Sequence, residues 1–177
     1  LHVLNFCWVR VRSTVYLEVI MVDKNMTLAF QNFQKKQAAI ELKGCNEITI
    51  KYGLALCDGE INELVENRFK SLKDTGRIEF SEGILKKLVE VFCDSPYIMQ
   101  QNYKETLMEI QESFYFFKNE AMDQIADDEL IEFMKRHFDG KCQGSLEYLR
   151  GTTLEELCRN TRYGYEVDDT DMYGHEF

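Results

Sequence analysis

Residues 102–122, NYKETLMEIQESFYFFKNEAM, decide the fold. Tyr103, Leu107, Ile110, Phe114, Phe117 and Ala121 recur at spacings of 4, 3, 4, 3 and 4, the period of one face of an α-helix. Met108, Tyr115 and Met122 add a second apolar side. A helix that is apolar on more than one side needs neighbours around it, so the spacing predicts the central helix of a bundle. Asn102 and Glu105 form a capping-box-like start. Burying its large side chains, at ~1.5–3 kcal/mol each, would contribute on the order of 10–20 kcal/mol before chain entropy is subtracted.

Working outward, helix signals repeat on both sides. Upstream, Asp94-Ser95-Pro96 reads as a stop and restart, because the residue before proline avoids helical geometry and proline suits a first helical turn. Before it, Ser81 caps a helix whose Ile84, Leu85, Leu88, Val89 and Phe92 share one face. Arg77-Ile78-Glu79-Phe80 looks extended, a candidate short strand. Asp58 caps a helix reaching Asp74, with Ile61, Leu64, Val65, Phe69 and Leu72 inward and Gly76 at its end. The segment NEITIKYGLAL alternates like a strand at 48, 50, 52, 54 and 56, yet Asn46 as a cap and Gly53 as a stop frame a short helix, the preferred reading. Thr27 caps a helix expected to stop at Gly44. Downstream, Asp127 caps a helix with Leu130, Ile131, Met134 and Phe138 inward, ended by Gly140. Ser145 opens a short turn of helix to Gly151, and Thr153 with Glu156 form a capping box for a last helix.

These signals predict an all-α, single-domain bundle of six to eight helices over residues 27–163, with at most a short β element. Residues 164–177 form an acidic, aperiodic tail, expected to be disordered. Residues 1–26 are an atypical N-terminal extension, irregular in pattern. Their opening LHVLNFCWVRVRSTVYLEVI admits two readings: an over-extended frame with the start at Met21 or Met26, or an edge strand through Val15, Leu17 and Val19. Arg10, Arg12 and Glu18 interrupt it too often for a membrane span, which needs about 18 apolar residues in a row.

The net charge of −10 argues against nucleic acid and against an anionic membrane as partners, since both are held by Lys and Arg. Six cysteines lie without any C-x-x-C spacing, which suits free thiols in a reducing cytoplasm. Only three histidines occur, and no Glu-x-x-His pair is present, so no metal or other cofactor is expected. Two places invite a functional reading. In the loop HFDGKCQGS, His137, Lys141, Cys142, Gly144 and Ser145 stand before a helix start, where backbone N–H groups can hold an anion. Gly140 ending one helix and Ser145 capping the next explain the same residues structurally. The run Phe114–Phe117 puts aromatic rings all around one turn, so either the helix is fully buried or one side, Tyr115 with Phe116, is left out for a partner.

The segments YGLALCDGEINELVENRFKSLKDTGRIEFSEGILKKLVEVFCDSPYI and FDGKCQGSLEYLRGTTLEELCRNTRYG resemble an uncharacterised family of clostridial-type bacteria, a small cytoplasmic domain of unknown function. The likeness runs from about Asn46 to Gly164 and implies a bacterial cytosolic protein, with no catalytic residue to carry over. The function expected is a non-enzymatic interaction or regulatory module that binds a protein partner or itself. The alternative is a small enzyme or anion or ligand binder that uses the 137–145 loop.

Overall fold

A computed structural model describes residues 28–77, 79 and 83–164. The readings made above for residues 1–27, the strand completed by Ile78 and Phe80, the Ser81 cap and the tail after Gly164 lie outside the described residues. Among the described residues there is no strand, and the protein is all-α. The chain divides at Gln37 and Ala38 into two units. Residues 28–37 are helical and expose Leu28, Phe30 and Phe33.

From Ala38 the first helix, α1 (28–49), continues past Gly44 instead of stopping there. Ala38, Leu42, Cys45 and Thr49 are all buried and fall on one helical face. That burial outweighs the ~1 kcal/mol a mid-helix glycine costs, and Gly44 sits in open space. After a 3-10 turn, Ile50–Tyr52, the stop comes at Gly53, whose φ of 75° is a conformation glycine adopts without strain. Asn46 is therefore no cap. Its side chain donates to the Leu56 carbonyl at 2.8 Å and accepts from the Leu56 N–H at 2.9 Å, clamping the returning strand-like segment onto α1.

Helix α2 (Asp58–Thr75) begins one residue earlier than expected, with Cys57 as its N-cap and the Cys57 N–H donating to Glu60 at 2.7 Å. Asp58 instead pairs with Lys43 at 2.8 Å in solvent. Its buried face holds Ile61, Leu64, Val65 and Leu72, while Phe69 is only half-buried beneath the Arg68 guanidinium. Helix α3 (Ile84–Phe92) buries all five expected residues. Helix α4 (Tyr103–Glu120) follows the Pro96 turn, and its six-residue stripe from Tyr103 to Ala121 is buried throughout. Asn102 does not cap it by its side chain. The Asn102 amide ties the preceding loop instead, accepting from the Met99 N–H and donating to the Tyr97 carbonyl. Met122, expected on the second apolar side, is exposed, because the helix ends first and Met122 and Asp123 turn the chain through positive φ. Lys118 secures that turn, donating to the Ile125 carbonyl and pairing with Asp127 at 2.7 Å.

Helix α5 (Asp127–Asp139) buries Leu130, Ile131, Met134 and Phe138 as expected, plus Phe133. Ala126, not Asp127, is its N-cap, because the Asp127 carboxylate is used by Lys118. A single turn α6 (Leu146–Tyr148), a π-helical turn (Leu149–Leu154) and α7 (Glu155–Tyr163) complete the chain. Helix α4 stands at the centre: it packs on α2, α3, α5 and α7.

One polar cluster joins α2 to α4. Arg68 donates from Nε to Glu79 Oε2 at 3.0 Å and from Nη2 to the same oxygen at 2.5 Å, and Tyr115 OH donates to Oε1 at 2.8 Å. Burial opposes the Arg68 charge, but Glu79 more than offsets it and raises the guanidinium pKa. Burial, reinforced by the Glu79 charge, likewise drives the Tyr115 phenol far above its ordinary value.

Candidate functional site

The loop of residues 137–145 is a tightly knit turn. Gly140 N–H donates to the Arg136 carbonyl, Cys142 N–H to that of His137 and Gly144 N–H to that of Phe138. The His137 ring tilts over Phe133, 4.2 Å between centroids. Cys142 is buried, with its sulfur 3.8 Å from the Thr153 hydroxyl. Burial pushes its thiol pKa up, the opposite of what a nucleophilic cysteine needs. Gly144 has a φ of 81° and presses on Tyr97 so closely that a Cβ there would lie 2.6 Å from the Tyr97 Cβ. Ser145 Oγ accepts the Tyr148 N–H at 3.2 Å. Lys141 is exposed, and its charge opposes in small part the effect of burial on Cys142. The five residues are thus brought together as a packed corner. Among the described residues, no group of three or more His, Cys, Asp or Glu side chains is placed to hold a metal ion.

The aromatic run resolves residue by residue. Phe114 and Phe117 are core, and Tyr115 is 1% exposed with its hydroxyl on Glu79, so Tyr115 takes no part in an outer face. Phe116 is 56% exposed. It lies on the outer stripe of α4 with Glu105, Glu109, Glu112 and Asn119, all exposed, as the one aromatic in a polar row.

Beside Phe116 runs a groove formed by α4 on one side and the π turn with α7 on the other. It consists of two adjoining hollows of about 320 and 370 Å³ that share Phe116, Phe117 and Arg150. The first is closed by Glu112 and Ser113, the second by Gly151, Glu155, Cys158 and Arg162. The exposed lining of the first is mostly apolar, with the Phe116 ring edge-on to Phe117 at 5.0 Å and 83°.

The local sequence explains the groove. Leu149 and Leu154 are both buried, yet five residues in a regular α-helix turn through about 140° beyond one full turn, which would separate them. The wider π turn accommodates the extra residue and lets both point inward, and such turns occur frequently at functional sites. Thr153 accordingly is not the cap expected from the sequence. It is buried, its hydroxyl turned toward Cys142, and Gly151 does not stop the helix. The widened turn brings Arg150 against α4, where Nε donates to Ser113 Oγ and Nη2 to the Glu109 carbonyl, both at 2.5 Å. Cys158 donates to the Phe117 carbonyl at 3.3 Å, and burial raises its thiol to about 11. Arg162 pairs with Glu120 at 3.0 Å.

Nothing in the local pattern links Arg150 to Ser113 or Glu155 to this face, and in the sequence Glu112 is marked only as a carboxylate on the same helix face as Glu109. The polar stripe broken by Phe116 was the available signal. Neither a curated protein nor a solved structure matches the chain. A model of a family of unknown function, DUF6323, matches residues 41–167, which take in every residue of the groove, and the chain belongs to that family.

Proposed function

We propose that this protein is a non-enzymatic interaction module, and that the groove beside Phe116 receives a helical segment of another protein. The observation that supports this reading most is Phe116 itself: a large aromatic, more than half exposed, over a hollow with a mainly apolar lining. Exposed apolar surface beside a hollow marks association sites, and aromatic side chains contribute disproportionately to binding energy. The groove offers little chemistry of its own. Its cysteine is protonated at neutral pH and its two arginines are engaged with Glu109 and Glu120. The expected setting is a bacterial cytoplasm of the clostridial type, as the family resemblance implies. Among the described residues, no helix is long and apolar enough to cross a membrane. The alternative reading through the 137–145 loop gains no support from a buried, protonated Cys142 and a Ser145 hydroxyl already used as a cap.

The test places a photo-crosslinking phenylalanine derivative at Asn119, exposed three residues from Phe116 on α4 and outside the lining of either hollow, in the full chain expressed in its host. Irradiation should attach one identifiable protein, and Phe116→Asp in the same chain should abolish that adduct. A synthetic copy of the attached segment should bind the wild type at least about tenfold more tightly than Phe116→Asp. Adducts indifferent to Phe116 would overturn the proposal.

A further inference from the structure

The groove also carries a charge pattern. Arg150 and Arg162, its two cations, are satisfied inside the protein by Glu109 and Glu120. Glu112 in the first hollow and Glu155 in the second are exposed and have no ion-pair partner among the described residues. The outward-facing charge is therefore one unpaired carboxylate in each hollow, with the Phe116 ring shared between them. The chain as a whole carries −10, so a second copy would approach this face against like charge.

Resting on the reading of the groove as a docking surface, we infer that its occupant is a short amphipathic helix of a partner protein, apolar on one face and bearing Lys or Arg in both its first and last turns. The span fits. From Glu112 to Glu120, α4 rises about 12 Å, which two turns of a docked helix would cover. Apolar side chains at i, i+3 or i+4, and i+7 would cover Phe116 and fill the two hollows, the usual way an amphipathic helix enters a groove. Basic residues at the two ends would then meet Glu112 and Glu155. These rim contacts set orientation and partner choice more than raw affinity.

The probe is a fluorescein-labelled 14-residue peptide with leucines at that spacing and two lysines in each terminal turn. Its binding to the full chain is followed by anisotropy, alongside Lys→Gln and Lys→Glu versions. The lysine peptide should bind best and weaken as salt rises. Phe116→Asp should abolish its binding, and the double variant E112Q/E155Q should weaken it by about three- to tenfold. The double variant E112K/E155K should shift preference to the glutamate peptide. All these positions are exposed, and circular dichroism would verify that each variant folds. A glutamine peptide that binds as tightly as the lysine peptide, yet still depends on Phe116, would overturn the charge inference and leave the groove reading standing. Lysine-peptide binding that ignores Phe116, Glu112 and Glu155 would overturn the inference, and so would a sedimenting dimer disrupted by Phe116→Asp.

Discussion

Glu79→Gln tests the polar cluster that fastens α2 to α4. The Arg68 side chain is 9% exposed and that of Glu79 11%, so neither charge can turn to water when the other is removed. The substitution keeps the shape of the side chain and one of its two acceptor oxygens, which can still receive the Tyr115 hydroxyl. What it deletes is the negative charge that compensates a buried guanidinium. Breaking one side of a buried pair costs about 3–5 kcal/mol, a large part of the net stability of a domain this size. Arg68→Met with Glu79→Leu removes both charges together, and the expected result is a stability within about 1 kcal/mol of wild type or above it. Urea unfolding gives both values, read as midpoint shifts at unchanged slope. Tyr115→Phe, which deletes only the donated hydrogen bond to a charged acceptor, should cost about 1.5–3 kcal/mol. A Glu79→Gln midpoint within error of wild type would refute the argument. So would additive single-variant effects in the Arg68 and Glu79 cycle, since two partners in contact must couple.

Phe114→Ala, at a position with no exposure, should cost about 3–5 kcal/mol, whereas Phe116→Ala one turn-face away should leave the melting temperature nearly unchanged. Gln111 is fully buried with neither amide atom hydrogen-bonded to a described group, so Gln111→Leu should stabilise by about 1–3 kcal/mol in the same urea assay; a loss would show that the amide has a role the fold does not reveal. Iodoacetamide at neutral pH should modify Cys57, the exposed thiol among the described cysteines, well before Cys142 or Cys158, as peptide mass mapping over time would register. Burial holds the Cys45 and Cys158 thiols at about 11 against an ordinary 9, so between those values the unfolded chain releases protons that the native one keeps. Stability is therefore intact below pH 9 and declines as pH rises toward 11, with the raised Tyr103 and Tyr115 phenols prolonging the fall; a melting temperature constant from pH 8 to 11 would contradict it.

The elements whose apolar period repeats several times are legible in the sequence itself. The α4 stripe and the α3 and α5 faces came through intact because each inward residue is separately favoured by burial. Punctuation was less reliable. Gly44, Asn46, Asp127 and Thr153 all look like helix boundaries in isolation. In the structure, a buried stripe carries the helix through Gly44, a backbone clamp employs Asn46, Lys118 takes the Asp127 carboxylate, and the π turn draws Thr153 inside. Each of these depends on a partner well separated along the chain or on the register of the following helix. Local propensity, worth ~1 kcal/mol or less per residue, yields to such tertiary terms.

The groove shows the same division within one site. Phe116 stands out in the sequence because it belongs to an aromatic run that encircles one helical turn, a local fact. The other wall depended on one extra residue between Leu149 and Leu154, whose effect appears only when both leucines must reach a common core. Once the turn widens to bury them, Arg150 is carried to Ser113 and the Glu109 carbonyl, and the space beside Phe116 is framed rather than open. The packing need of two leucines thereby shapes the surface that the aromatic ring occupies. Gly151 permits this, being the one residue of that turn with no side chain to intrude on the hollow it lines. A Cβ at Gly151 meets no atom within 4 Å, so a larger side chain there should project into the groove and block the surface while the fold that creates it is kept.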